Sequence, residues 1–417
     1  MTVPCSIDSA RRRLLAAAAT GAAAWPGRLP VVGALSALGL PAQAAADWSR
    51  VEQAARGQTV YFNAWAGSDR INAYLQWAAG EVRARHGVDL RHVKITETAE
   101  VVQRVRTEKA AGRAEGSVDM LWINGENFLA MKREGLLFGP FAEQLPAYAL
   151  VDTAGKPTTR VDFSEPVDGM EAPWGMAQLT FFGDARRVPR PPRDWAALLQ
   201  WVRENPGRFT YPRPPQFHGT TFLKQVLSEV NAERSALYQP MTPAALARLG
   251  APLWQALDAL HPHLWRGGRQ FPASDAAMRQ MLADGELAIS LSFNPNEAAS
   301  EIAAGKLPAQ VNSWQHAGGT IGNTHFLAIA FNARAKEGAQ VVANFLLSPL
   351  AQARKADIRH WGDPTVLDVS RLDAAARAAF EAARAPGMVA QAAPALPEPH
   401  ASWTDALERE WARRYSA

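Results

Sequence analysis

Strand-like and helix-like segments alternate three times between residues 59 and 135. That alternation commits the chain to an α/β fold whose sheet is mainly parallel and covered on both faces. Thr59-Val60-Tyr61-Phe62-Asn63 is a β-branched and aromatic run, read as a buried strand. Ile71, Tyr74, Leu75, Ala78 and Val82 then recur at helical spacing, with Gly87 as the stop. Residues 88–95 predict a second strand, 99–111 a helix, 118–123 a third strand, and 127–134 a helix ended by Gly135. A short polar helix over 47–56 leads into this unit.

The pattern breaks over 139–175, which is rich in loop residues, and then resumes. A strand is expected over 176–183, a helix over 195–204 after Pro189, Pro191 and Pro192, and a short strand at Phe209-Thr210-Tyr211 stopped by Pro212. Helices over 219–231, 243–260 and 274–284 and a strand over 286–293 complete a second alternating unit. A further strand covers 325–331, and the remainder reads as helices over 335–347, 349–356, 370–384 and 401–415. One α/β unit is thus interrupted by another. A mature chain of about 370 residues exceeds a single core, so two lobes are expected. The first would comprise 47–175 plus 293–417, the second 176–292 including a hinge strand.

Residues 1–46 read as a cleaved export signal. Arg11-Arg12-Arg13 precedes an alanine-rich apolar run, and Leu29–Leu40 leads into Ala42-Gln43-Ala44, an A-x-A cleavage site. The arginines are compatible with twin-arginine export and with ordinary secretion. Each apolar run is too short to span a bilayer. The leader also carries most of the apparent basicity: Arg11, Arg12, Arg13 and Arg28 against Asp8 account for three of the four net positive charges. Nucleic acid is therefore not an expected partner. The chain's one cysteine, Cys5, lies in the leader, which excludes disulfides, thiol catalysis and cysteine-ligated metal from the mature protein. The expected location is the periplasm.

Ligands of open α/β sheets sit beyond the carboxyl ends of strands, and a cleft between lobes is the default pocket. The turns at those ends pair large aromatics with amides and carboxylates. They supply the candidate ligand-binding set: Asn63, Trp65, Ser68, Asp69, Trp122, Asn124, Glu126, Trp174, Gln178, Tyr211, Arg213, Phe293, Asn294 and Asn323. Ring faces attract cations and carboxylates add charge complementarity. Several members have ordinary alternatives. Asp69 can cap the helix that follows, Glu126 can favour a helix N-terminus, and Arg213 can pair on the surface. Trp77, Trp195, Trp201, Trp254, Trp265 and Trp411 fall on helices and are read as packing. No nucleotide-binding, zinc-protease or nucleophile-elbow motif occurs. No catalytic residue, cofactor or metal ligand is assigned. The competing reading is a secreted hydrolase or transferase on the same scaffold, for which His218, Asp69, Glu126 and His325 are the groups of interest.

Residues 341–352, with Asn344-Phe345-Leu346-Leu347-Ser348-Pro349 at their centre, resemble the helix–turn signature of periplasmic solute-binding proteins of ABC importers. Residues 61–68, 121–128 and 321–326, with Tyr211-Pro212-Arg213-Pro214-Pro215 and Trp361-Gly362-Asp363-Pro364, are similar to the YnjB-like subgroup. The resemblance spans about residues 48–415. It implies a type II, two-lobed binding-protein fold, a monomer that closes on a small solute and delivers it to an ABC permease in the inner membrane, and no enzyme activity. The subgroup is similar in layout to thiamine- and iron-binding relatives. Where the family usually has Trp-Gly-Gly in the first loop, this chain has Trp65-Ala66-Gly67. Iron-binding relatives use tyrosine ligands, and the six tyrosines here include no adjacent pair. The aromatic and acidic strand ends fit an organic cation such as a thiamine-like compound.

Overall fold

The computed structural model describes residues 42–381 and 385–415. Most of the expected export signal lies outside the described residues; its last residues open a helix, Ala42–Ala55. The strands are β1 (Thr59–Trp65), β2 (Asp89–Ile95), β3 (Met120–Ile123), β4 (Val161–Asp162), β5 (Glu165–Pro166), β6 (Glu171–Gln178), β7 (Thr180–Asp184), β8 (Ile289–Ser292), β9 (Val311–Trp314), β10 (Thr320–Ile329) and β11 (Ala395–Leu396). β4 and β5 form a small antiparallel ribbon.

The first sheet runs β11-β10-β3-β1-β2, with β6 also on β10. Its centre, β2-β1-β3, is parallel because a helix follows each strand: Asp69–His86 after β1 and Thr98–Ala110 after β2. Gly87 ends the first of these in the left-handed conformation (φ 68°), as its position after a periodic run predicts. β10 lies antiparallel to both β3 and β6, and all ten of its residues are buried.

The second sheet, β8-β7-β9, is antiparallel. This departs from the expected parallel arrangement in two places. Phe209-Thr210-Tyr211 pairs in no sheet; the Phe209 carbonyl accepts from Trp265 N at 2.9 Å and the Arg208 carbonyl from Ala288 N at 2.8 Å. β9, Val-Asn-Ser-Trp, is a strand the sequence did not announce.

The expected strand over 176–183 serves two sheets. It belongs to β6 up to Gln178 and to β7 from Thr180, and Leu179 N donates to the Ile321 carbonyl at 2.8 Å where they meet. The chain also crosses between 314 and 320, from β9 to β10. β9 belongs with the second sheet, and the C-terminal helix Trp403–Tyr415 buries Trp403, Leu407 and Trp411 in the core beside it, with Phe222, Leu253 and Leu257. The expected helix over 370–384 is reduced, among the described residues, to Ala374–Ala378.

Candidate functional site

A cavity of about 250 Å³ is bordered by residues from both sheets. β1, β2 and β3 end on it with Trp65, Thr96-Glu97 and Asn124, and β8 ends on it with Phe293-Asn294. These are the carboxyl ends of the strands, where the sheet leaves backbone groups and turn side chains facing outward. Gly67 lets the Trp65 ring lie against the loop backbone: a Cβ at residue 67 would stand 2.2 Å from the ring.

One wall is aromatic. Trp122 and Trp361 border the cavity, and Trp174 stands behind them with centroids 4.8 Å and 5.3 Å away in edge-to-face contact. Under these rings lies a buried ionic cluster. Asp363 Oδ2 accepts from both His325 Nε2, at 3.0 Å, and Lys355 Nζ. Burial opposes ionisation of Asp363, yet His325 and Lys355 hold its carboxyl below the usual carboxylate range, while burial pulls the Lys355 ammonium down. Gly175 is what lets this cluster form. A Cβ there would meet Asp363 Oδ2 at 2.1 Å and His325 Nε2 at 2.2 Å.

A second wall comes from the helices beside the other sheet. Arg279 is held by Asp275 at 4.0 Å, by Glu301 at 3.6 Å and by Glu297. Burial pushes the Glu297 carboxyl up against the pull of Arg279. Arg70, from the helix after β1, reaches across to the carbonyl of Ser300 and pairs with Glu301 at 3.7 Å. Asn296 Nδ2 donates to the Gly362 carbonyl at 2.8 Å, so the lips of the cleft touch.

A third group gathers around Lys224, which pairs with Glu398 at 3.4 Å and lies 4.2 Å from the Phe163 ring centre. Burial pushes the Glu126 and Glu398 carboxyls up, and Glu408 to about 7. The sign of the consequence for stability is fixed. The folded state holds the Glu408 proton that an unfolded carboxylate releases, so stability should fall as pH rises from about 4.5 to about 7. Glu408→Gln, which keeps the acceptor for the Thr220 hydroxyl at 2.7 Å, should flatten that slope by on the order of 2 kcal/mol in urea titrations at pH 5 and pH 8. An unchanged slope would show that another group carries it.

Of the sequence-derived candidates, Trp65, Ser68, Trp122, Asn124, Glu126, Phe293, Asn294 and Asn323 border the cavity. The other six do not. Asn63 is buried within β1, with its Nδ2 donating to the Tyr61 carbonyl at 3.4 Å. Asp69 is exposed in the first helical turn, where Ser68 is the cap. Trp174 is core. Gln178 is spent on Thr320, Ala393 and Pro394. Tyr211 is buried, bonded to His261 at 2.7 Å and Trp411 at 2.8 Å. Arg213 points to solvent. Lys224, Arg279 and Glu408 border the cavity without having been singled out, since a charge within a helical run reads as a solvated face.

A family model for bacterial extracellular solute-binding proteins matches residues 77–383. Over 386 residues the chain is 48% identical to Protein YnjB of Escherichia coli (strain K12), covering 92% of this chain and 98% of YnjB. The chain belongs to the bacterial extracellular solute-binding proteins. The fold of this binding protein agrees. It matches the periplasmic binding protein AfuA of Actinobacillus pleuropneumoniae with a TM-score of 0.60 at 14% identity, over 86% of this chain and 99% of AfuA. The substrate-binding protein PotD of Streptococcus pneumoniae superposes with a TM-score of 0.52 at 13% identity, over 86% of this chain and 97% of PotD. The binding protein therefore shares the two-lobed fold of these periplasmic binding proteins. Among the described residues no helix is long and apolar enough to cross a membrane.

Proposed function

We propose that the cleft captures a small organic cation, such as a thiamine-like compound, and that the protein works as a monomer with a permease of the inner membrane. The observation that carries this is the charge of the lining. Seven carboxyl groups (Glu97, Glu126, Asp275, Glu297, Glu301, Asp363, Glu408) border the cavity against three permanent cations (Arg70, Lys224, Arg279); Asp363 is matched by Lys355 and His325 beneath, and Asp275, Glu297 and Glu301 share Arg279. Rings of Trp65, Trp122, Phe217, Phe293 and Trp361 stand among them. A cation over a ring face gains about 0.5–2 kcal/mol as it is desolvated, and it would also draw out the ionised forms of Glu97, Glu126 and Glu408, which burial holds back. Fold alone does not select this charge, since AfuA holds fructose-6-phosphate on the same scaffold. Closure would turn one lobe on the other about Leu179 and the segment 315–319.

Mass spectrometry of the solute released on denaturing freshly purified protein tests the reading. A molecule positively charged at neutral pH is expected. A neutral sugar or an anion would overturn it.

A further inference from the structure

At the Lys224 end of the cleft, acceptors outnumber donors. Lys224 is itself buried and engaged, with Glu398 on one side and the Phe163 ring on the other. The second oxygen of Glu398 accepts from Asn323 Nδ2 at 3.0 Å. Next to them stand Glu126, which accepts from Asn127 Nδ2 at 3.2 Å, and Glu408, which accepts from the Thr220 hydroxyl at 2.7 Å; the charge of Lys224 reaches both, and among the described residues neither is in an ion pair. Two further residues that border the space, Asn323 and Thr404, 3% and 4% exposed, each carry a buried oxygen, Oδ1 and Oγ1, with no hydrogen-bond partner among the described residues. A buried acceptor left without a donor is costly, so these oxygens call for N–H or O–H groups from whatever enters.

We infer that this end is a subsite for a protonated nitrogen group bearing several N–H donors, a primary ammonium, guanidinium or aminopyrimidinium head, held by Glu126, Glu408, Asn323 and Thr404. The inference rests on the cation reading and narrows it. A quaternary ammonium would answer the charge of the two carboxyls and leave Asn323 Oδ1 and Thr404 Oγ1 unsatisfied. A group with two or three N–H donors answers both demands, and its bonds to carboxylates are of the stronger, charge-assisted kind. Thr404 and Glu408 lie one turn apart on the C-terminal helix, which packs on the second core. The last helix is thereby part of the binding wall as well as of the fold.

Titration calorimetry of the full chain tests this with putrescine, agmatine and thiamine, and with the permethylated, bis-quaternary form of putrescine. At least one of the first three is expected to bind, and the bis-quaternary diamine at least about tenfold more weakly. Glu408→Gln should weaken the bound cation about tenfold or more and Thr404→Val about fivefold, with melting temperatures within a few degrees of the parent. If Glu408→Gln does not fold, Glu126→Gln reads the same subsite. Equal affinity for the quaternary compound, or unchanged affinity in both variants, overturns the subsite and leaves the cation reading standing. Binding of fructose 6-phosphate with no cation bound, or no cation binding at all, overturns both.

Discussion

Trp174→Ala should cost the fold about 3–5 kcal/mol, the loss expected when a fully buried indole is truncated in a packed core. The ring is enclosed by Phe62, Tyr74, Trp122, His325 and Trp361, with centroids 4.8 to 6.4 Å away. None of these neighbours can follow the retreating side chain without breaking its own contacts, so a cavity remains. Trp65→Ala is the contrasting variant. Its ring is half-buried at the mouth of the cleft, so stability should fall by roughly 1 kcal/mol while affinity for the co-purified solute falls by about tenfold. Urea unfolding and solute titration on both proteins separate the two roles. If Trp174→Ala unfolds at the parent's midpoint, the ring is not part of the core.

Asp363→Asn is expected to cost a similar amount, about 3–5 kcal/mol, by a different route. The substitution leaves the Lys355 ammonium, which has no solvent exposure, without its counter-charge, and His325 without its acceptor carboxylate. The control is the double variant Lys355→Met with Asp363→Asn. Replacing both members of a buried pair by uncharged groups is often neutral, so the second substitution should restore much of what the first removes. Additive losses in chemical unfolding would show that the pair is not coupled.

The sequence exposed the parts of this molecule whose signals are local. The 3.6-residue spacing of Ile71, Tyr74, Leu75, Ala78 and Val82 and the stop at Gly87 locate one helix, and the capping Asp194 ahead of Trp195–Glu204 accompanies another that matches its expected span. Strand-end turns are equally local, which is why eight candidates drawn from them border the cleft. The misses are non-local. Nothing in Thr-Phe-Phe tells that β7 changes sheet after Leu179, because that depends on pairing with β8 and β9 more than a hundred residues away. Trp174 and Tyr211 follow or precede turns as convincingly as Trp65 does, but the residues that bury them, Trp361 and Trp411, come from the far end of the chain. The charge of Lys224 reaches Glu408 only because the C-terminal helix packs back on the second core.

The indoles of Trp122, Trp174 and Trp361 sit close enough to share electronic excitation, and two of the three border the cleft. A guest resting on Trp122 or Trp361 therefore perturbs the emission of the whole trio. The molecule carries its own optical gauge of occupancy, and an unlabelled preparation in a fluorimeter can report whether the cleft is full.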